Sequence, residues 1–136
     1  RGCQEAYAAG PRIVDEYRRL VRAERLGART PTVERLQDVC ARSEAGDRVA
    51  TLAIQRGGEH LGAGLASLAN VLNPSVIVIG GGVLGAGPRW FDAARDTIMA
   101  RVRRTVAVGL EVVPAALGSD AAVIGAGLLG MEAVAA

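Results

Sequence analysis

The stretch Ser75-Val76-Ile77-Val78-Ile79-Gly80-Gly81-Gly82 decides how this chain folds. Its run of β-branched residues predicts a strand covered on both faces, and the glycines that follow predict a bend of bare backbone. Ligands of α/β sheets bind beyond the carboxyl ends of strands, which makes a nucleotide the natural occupant of such a bend. A tight turn that only joins the strand to a helix explains the glycines equally well.

The segments on either side of this strand have the periodicity of helices, apart from one further short strand. Alternating strand and helix in the second half predicts an α/β layer. Two strands do not make a stable sheet alone, so we expect other strands from a further part of the protein or from a partner. The predicted elements are a helix from Pro11 to near Gly27, a helix starting at Thr30-Pro31-Thr32, a long helix over Asp47–Leu72 ended by Asn73-Pro74, the strand Ser75–Ile79, a helix from Pro88, the strand Leu110–Val113 and a helix from Ser119-Asp120 to about Val134.

The composition excludes several classes of chemistry. The 136 residues contain 16 basic residues, all arginine, against 14 acids, for a net charge of +2. Without lysine there is no P-loop lysine and no Schiff base. The arginines are mixed with acids along the chain, which indicates a solvated surface rather than a nucleic-acid patch.

Histidine and cysteine are scarce. His60 is the single histidine and cannot supply a two-histidine metal site. Cys3 and Cys40 form neither a CxxC pair nor a disulfide framework, which favours a cytoplasmic protein. The uncharged run of residues 61–88 is long enough to cross a membrane, but two asparagines, a proline and the glycine bend interrupt it. A buried helix followed by a buried strand fits it better, and no membrane partner is expected.

Two stretches match the pattern G-x-G-x-x-G, at residues 80–85 and 125–130. A dinucleotide fingerprint requires a strand, a glycine turn and a helix within one βαβ unit, with an acid about 20 residues further on. The first match lacks that acid, and only six residues follow the second. We interpret the second match as a helix whose glycines permit close packing. A Rossmann dehydrogenase would instead need a strand just before Gly125.

Other candidate residues favour structural roles. We expect His60 to face solvent or pack within the long helix, Cys40 to be an inert buried thiol, and Trp90 with Phe91 to lie in the core or a subunit interface. The remaining acids form no closely spaced pair and are interpreted as caps or surface charges. They are Asp47, Glu59, Asp92, Asp96, Glu111 and Asp120.

Three stretches together resemble the ROK family of sugar kinases and sugar-responsive repressors, and they span almost the whole chain. The first resembles the end of the family's cysteine-rich motif, G-C-x-E. The stretches are Gly2-Cys3-Gln4-Glu5 with Tyr7-Ala8-Ala9-Gly10-Pro11; Ala45-Gly46-Asp47, Leu61-Gly62-Ala63-Gly64-Leu65-Ala66, Leu72-Asn73-Pro74 and Ile77-Val78-Ile79-Gly80-Gly81-Gly82-Val83; and residues 116–126, ALGSDAAVIGA.

The resemblance implies a helix-rich α/β fold, the carboxyl-terminal part of an actin-like, hexokinase-like (ribonuclease H-like) ATPase. Residues 1–136 would form the carboxyl-terminal lobe of a ROK-type sugar kinase domain, without the phosphate-binding lobe. By the same resemblance, Cys3 would help bind a structural zinc and Glu5 would contact sugar hydroxyls. Gly80, Gly81, Gly82 and Val83 would line the adenosine side of an ATP site. The other zinc ligands, the phosphate loop and the catalytic aspartate of the family lie upstream of this motif.

Two functions remain open at this point. One is an ATP-dependent kinase of a hexose or N-acetyl amino sugar, with Mg²⁺ and an upstream aspartate as base. The other is the sugar-sensing domain of a repressor that binds DNA through an upstream helix-turn-helix. We expect the 136-residue chain to be inactive alone, to bind none of these cofactors by itself, and to self-associate as family members do.

Overall fold

The computed structural model describes residues 3–24 and 33–135. In these ranges the chain forms seven α-helices, two strands and two short 3₁₀ turns. The elements are α1 (Glu5–Ala8), α2 (Gly10–Ala23), α3 (Leu36–Glu44), α4 (Arg48–Leu72), β1 (Val76–Ile79), a 3₁₀ turn (Gly82–Ala86), α5 (Pro88–Arg101), α6 (Arg104–Ala107), β2 (Glu111–Pro114), a 3₁₀ turn (Gly118–Asp120) and α7 (Ala121–Ala135).

The long helix α4 is the centre of the molecule, and α1, α2, α3 and α5 all pack against it. It begins where Asp47 accepts hydrogen bonds from the backbone N–H groups of Val49 (2.9 Å) and Ala50 (3.1 Å). It ends at Asn73, whose left-handed backbone (φ 46°) stops the helix before Pro74. Both predicted bounds of this helix and the capping role of Asp47 are confirmed.

Glycines in α4 allow α5 to approach closely. A Cβ on Gly62 would lie only 2.5 Å from the carbonyl oxygen of Ala94 and 2.7 Å from Cβ of Thr97. Glycine weakens a helix interior by about 1 kcal/mol relative to alanine, so this backbone contact must offset that cost. Trp90 and Ile98 of α5 are buried against the same surface.

The helices α2 and α3 complete the core on another side of α4. Ile13 and Tyr17 of α2 are buried, and the Tyr17 hydroxyl donates a 3.0 Å hydrogen bond to Asp47. The predicted start of α3 at residues 30–32 and the predicted end of α2 near residue 27 lie outside the described residues. The described part shows α3 beginning later, at Leu36, because the Asp38 carboxylate accepts hydrogen bonds from the backbone N–H groups of Glu34 and Arg35 and caps the helix there.

The strands β1 and β2 pair in parallel, with Val76 opposite Glu111 and Ile79 opposite Pro114. The prediction that the first strand is covered on both faces is wrong for this chain. Ile79 is buried, but Val78 is 59% exposed and Val76 is also exposed. Residues of one strand point alternately to opposite faces, so one face of the sheet packs on the helical body and the other is bare.

The segment around Gly125 is helical as predicted, since α7 covers Ala121–Ala135. No strand directly precedes Gly125, which rules out a dinucleotide fingerprint at residues 125–130. The expected close packing of the α7 glycines is not found, because a Cβ on Gly125, Gly127 or Gly130 would have no heavy atom of the described residues within 4 Å. None of the described helices is both long and apolar enough to span a membrane.

Candidate functional site

The carboxyl end of β1 is a bend of exposed backbone. Gly80, Gly81 and Gly82 are all exposed, and Gly81 has φ 97°, a conformation that residues with a side chain rarely adopt. The bend then closes into the 3₁₀ turn, where the Leu84 N–H donates to the Gly81 carbonyl at 3.1 Å. A Cβ on Gly81 or Gly82 would have no neighbour within 4 Å. The bend therefore offers bare main chain to a ligand.

A mostly apolar cavity of about 380 Å³ lies beside this bend. Glu5 lines it from α1, and Gly80 and Val83 line it from the end of β1. Residues distant in the sequence, which were predicted to contact the sugar and the nucleotide, thus share one cavity. Gly81 and Gly82 lie in the adjoining bend and do not line it.

Glu5 also lines a second cavity, of about 520 Å³. Its lining includes Cys3, Glu5, Arg12 and Asp15. Cys3 is an exposed free thiol. Among the described residues no group of three or more histidine, cysteine or acidic side chains could hold a metal ion. Tetrahedral zinc needs four ligands, so the described residues do not fit zinc without ligands from elsewhere.

A cluster of opposite charges links α2 to α4. Glu16 accepts hydrogen bonds from Arg19 and Arg56, with N–O distances of 2.7 Å. These lower the pKa of Glu16 from 4.5 to about 2, chiefly through the Arg19 hydrogen bond, with Arg56 adding to it and partial burial opposing both. The two arginines pair with one carboxylate and tie α2 to α4, which is a structural role.

The other residues considered from the sequence behave as structural groups. His60 is an exposed residue of α4 whose ring stacks at an angle on the Tyr7 ring, with centroids 5.4 Å apart. Cys40 is only partly buried, and desolvation raises the pKa of its thiol, which favours the protonated form. Trp90 is 2% exposed, as expected of a core residue.

Two features of the cavity could not be found by sequence reasoning. Trp90 lines it as well as filling the core, and its buried indole N–H has no acceptor among the described residues. Gln4, between the predicted zinc and sugar residues, also lines the cavity and reaches α4. Neither position has a local pattern that predicts such a contact.

Similar proteins of known structure carry the same fold. A ROK family glucokinase from Streptomyces griseus, solved in complex with glucose and AMPPNP, matches 95% of this chain with a TM-score of 0.75 and 28% identity. A ROK family transcriptional regulator, a homologue of the E. coli MLC protein, matches 83% of the chain with a TM-score of 0.67 and 27% identity. The chain spans 44% and 29% of these two proteins. The expected helix-rich α/β fold of the actin-like, hexokinase-like type is confirmed.

Sequence comparison leads to the same group of proteins. A glucokinase from Halalkalibacterium halodurans is 41% identical over 93 residues, which are 68% of this chain and 28% of that protein. The chain thus spans less than half the length of the relatives it matches. The model of the ROK family matches residues 1–133, nearly the full length, and the chain accordingly belongs to the ROK family.

Proposed function

We propose that this chain is the carboxyl-terminal lobe of an ATP-dependent sugar kinase that phosphorylates a hexose or N-acetyl amino sugar. The observation that carries the proposal is the shared cavity, which brings Glu5 beside Gly80 and Val83. A carboxylate can accept hydrogen bonds from two hydroxyl groups of one sugar, and exposed glycine backbone lets a nucleotide approach. The similarity to glucokinases, one of them solved with glucose and AMPPNP, supports both assignments.

The division into lobes is part of this proposal. Residues 1–136 would form one lobe, and a second lobe would supply the phosphate loop, the catalytic base and the Mg²⁺ site. The chain spans less than half of its relatives, and the outer face of β1 and most of α7 are exposed apolar surface that such a lobe or another copy could cover. The 136-residue chain alone would then have no kinase activity.

The residues of this chain would bind and orient the two substrates. Glu5 would hold the sugar at one end of the cavity, and the main chain of residues 80–83 would lie along the adenosine of ATP. ATP would supply the transferred phosphoryl group, whose developing charge Mg²⁺ neutralises. Cys3 would contribute one thiolate to a zinc whose other ligands come from outside this chain.

A sugar-sensing domain of a repressor is the second candidate. It is favoured by the similarity to a ROK transcriptional regulator, which matches 83% of the chain with a TM-score of 0.67. In that case the same cavity would bind sugar, and DNA would be bound only by a separate amino-terminal domain. The two candidates differ in whether ATP is consumed.

The test uses the intact protein that contains this chain. With glucose and ATP as probes, the kinase proposal predicts formation of a sugar phosphate, and Glu5→Gln should raise the KM for glucose by roughly 10-fold or more. Gly82→Leu should raise the KM for ATP while leaving that for glucose unchanged, because a Cβ at residue 82 would have no described atom within 4 Å and the longer side chain would extend into the proposed nucleotide side. Gly109→Leu, at another exposed glycine without neighbours, is the matched control.

Three outcomes test separate parts of the proposal. Glucose binding that depends on Glu5 without any consumption of ATP would favour the sensor. Phosphorylation by the 136-residue chain alone would contradict the division into lobes. Glucose affinity that is unchanged by Glu5→Gln would contradict the assigned role of Glu5 in either candidate.

A further inference from the structure

The position of Glu5 depends on a very short helix. The four residues of α1 carry Glu5 at their start, and Cys3 precedes them. A helix this short is not stable by itself in water, so tertiary contacts must hold it. The contacts of α1 with α4 and α2 therefore decide where the Glu5 carboxylate lies.

Gln4 makes the polar part of that contact. Its side-chain amide donates a hydrogen bond to the backbone carbonyl of His60 in the middle of α4. Gly64, one turn later, leaves the space that the Gln4 amide fills, because a Cβ there would lie 2.6 Å from the Gln4 Cδ. Real Cβ atoms do not approach other atoms within 3.0 Å, so alanine at residue 64 would displace the amide.

Tyr7 makes the second contact, to the same residue of α4. Its ring lies against the His60 ring, with the planes at 47°. Gln4 and Tyr7 flank Glu5 in the sequence, and both contact His60. Glu5, which lies between them in the sequence, lines the same cavity as Gly80 and Val83.

We infer that Gln4 is a positioning residue that holds the Glu5 carboxylate in place for sugar binding. It does so through its hydrogen bond to the His60 carbonyl, in the space that Gly64 leaves. The inference rests on the proposed function. Gln4 acts through Glu5, so its loss should weaken the binding of sugar and leave that of ATP unchanged. Gly64 acts only by leaving room for Gln4.

The experiment measures glucose and AMPPNP dissociation constants of the intact protein by calorimetry. Gln4→Ala should weaken glucose binding roughly 10-fold, the usual scale for losing a group that orients a ligand residue, with AMPPNP binding unchanged. Gly64→Ala should weaken glucose binding similarly, but it should add nothing in the Gln4→Ala background, where its methyl group meets no amide. Since only the end of a flexible side chain must move, Gly64→Ala should keep the fold.

Matched controls separate this inference from the proposed function. Gln37→Ala makes the same change on the exposed face of α3, and Gly125→Ala adds a methyl group where nothing lies within 4 Å. If Glu5→Gln weakens glucose binding and Gln4→Ala does not, the positioning role is overturned while the proposed function stands. If Glu5→Gln has no effect, the sugar-binding role of Glu5 fails, and the inference that rests on it fails too. Additive effects of Gln4→Ala and Gly64→Ala would also overturn the inference.

Discussion

Two glycine-rich helices of this chain, α4 and α7, have similar sequences and opposite surroundings. In α4, the backbone of α5 lies where a Cβ on Gly62 would be, and Ala66 and Ala69 are buried. In α7, the glycines have open space around them and the large side chains, such as Leu128 and Leu129, are exposed. Small residues next to leucines permit close packing, but a neighbouring element must be present to use it.

The largest expected difference between the two regions is in the free energy of unfolding, when an isoleucine is shortened to alanine in each. Ile98 in α5 is 0% exposed, whereas Ile124 in α7 is 41% exposed. Ile98→Ala should lower the free energy of unfolding by about 2–5 kcal/mol, because it leaves a cavity in the core. Ile124→Ala should change it by less than about 0.5 kcal/mol. Urea unfolding followed by the fluorescence of Trp90 measures both, and equal losses would show that α7 is packed in solution.

A second, smaller difference in the free energy of unfolding is expected when a glycine is changed to alanine in α4 and in α7. Gly62→Ala forces a methyl group towards the Ala94 carbonyl and should lower the free energy of unfolding by about 1–3 kcal/mol. Gly127→Ala, in open surroundings, should raise it by up to about 1 kcal/mol, since alanine favours a helix. The same urea experiment compares them. A stabilising Gly62→Ala would mean that the two helices are further apart than the structure has them.

The same contrast explains which parts of the fold the sequence could predict. Asp47, Asn73 and Pro74 set the ends of α4 through local capping, and such signals can be read directly. Glu34, expected in the first turn of α3, precedes the helix, because the Asp38 carboxylate accepts hydrogen bonds from the backbone N–H groups of Glu34 and Arg35. The exposure of Val78 could not be foreseen, since strand residues are buried by whatever covers the sheet and not by their own sequence.

The candidate site was predictable only in its separate parts. The resemblance to the ROK family assigned Glu5, Gly80 and Val83 to ligands, but that these three line one cavity depends on how α1 packs on α4. The packing of α1 on α4 depends on Gln4 and Gly64, which contact each other only in the folded chain. Tertiary contacts of this kind have no periodic pattern in the sequence.

The smallest expected effect concerns pH and the link between α2 and α4. The folded state holds the pKa of Glu16 at about 2 against an ordinary 4.5, so the carboxylate stabilises the fold fully above about pH 5 and loses this contribution as the pH falls towards 2. Because Arg19 and Arg56 are partly exposed to solvent, we expect only about 1 kcal/mol from this link.

Glu16→Gln should therefore lower the free energy of unfolding at pH 7 and bring the variant level with the wild type near pH 2. Glu59→Gln is the control, because Glu59 is exposed and makes no ion pair with the described residues. Urea unfolding at a series of pH values, followed by the fluorescence of Trp90, measures the difference in free energy of unfolding between Glu16→Gln and the wild type. A constant difference from pH 7 to pH 2 would mean that Glu16 stabilises the body by packing and not by its charge, since only the charge titrates over that interval.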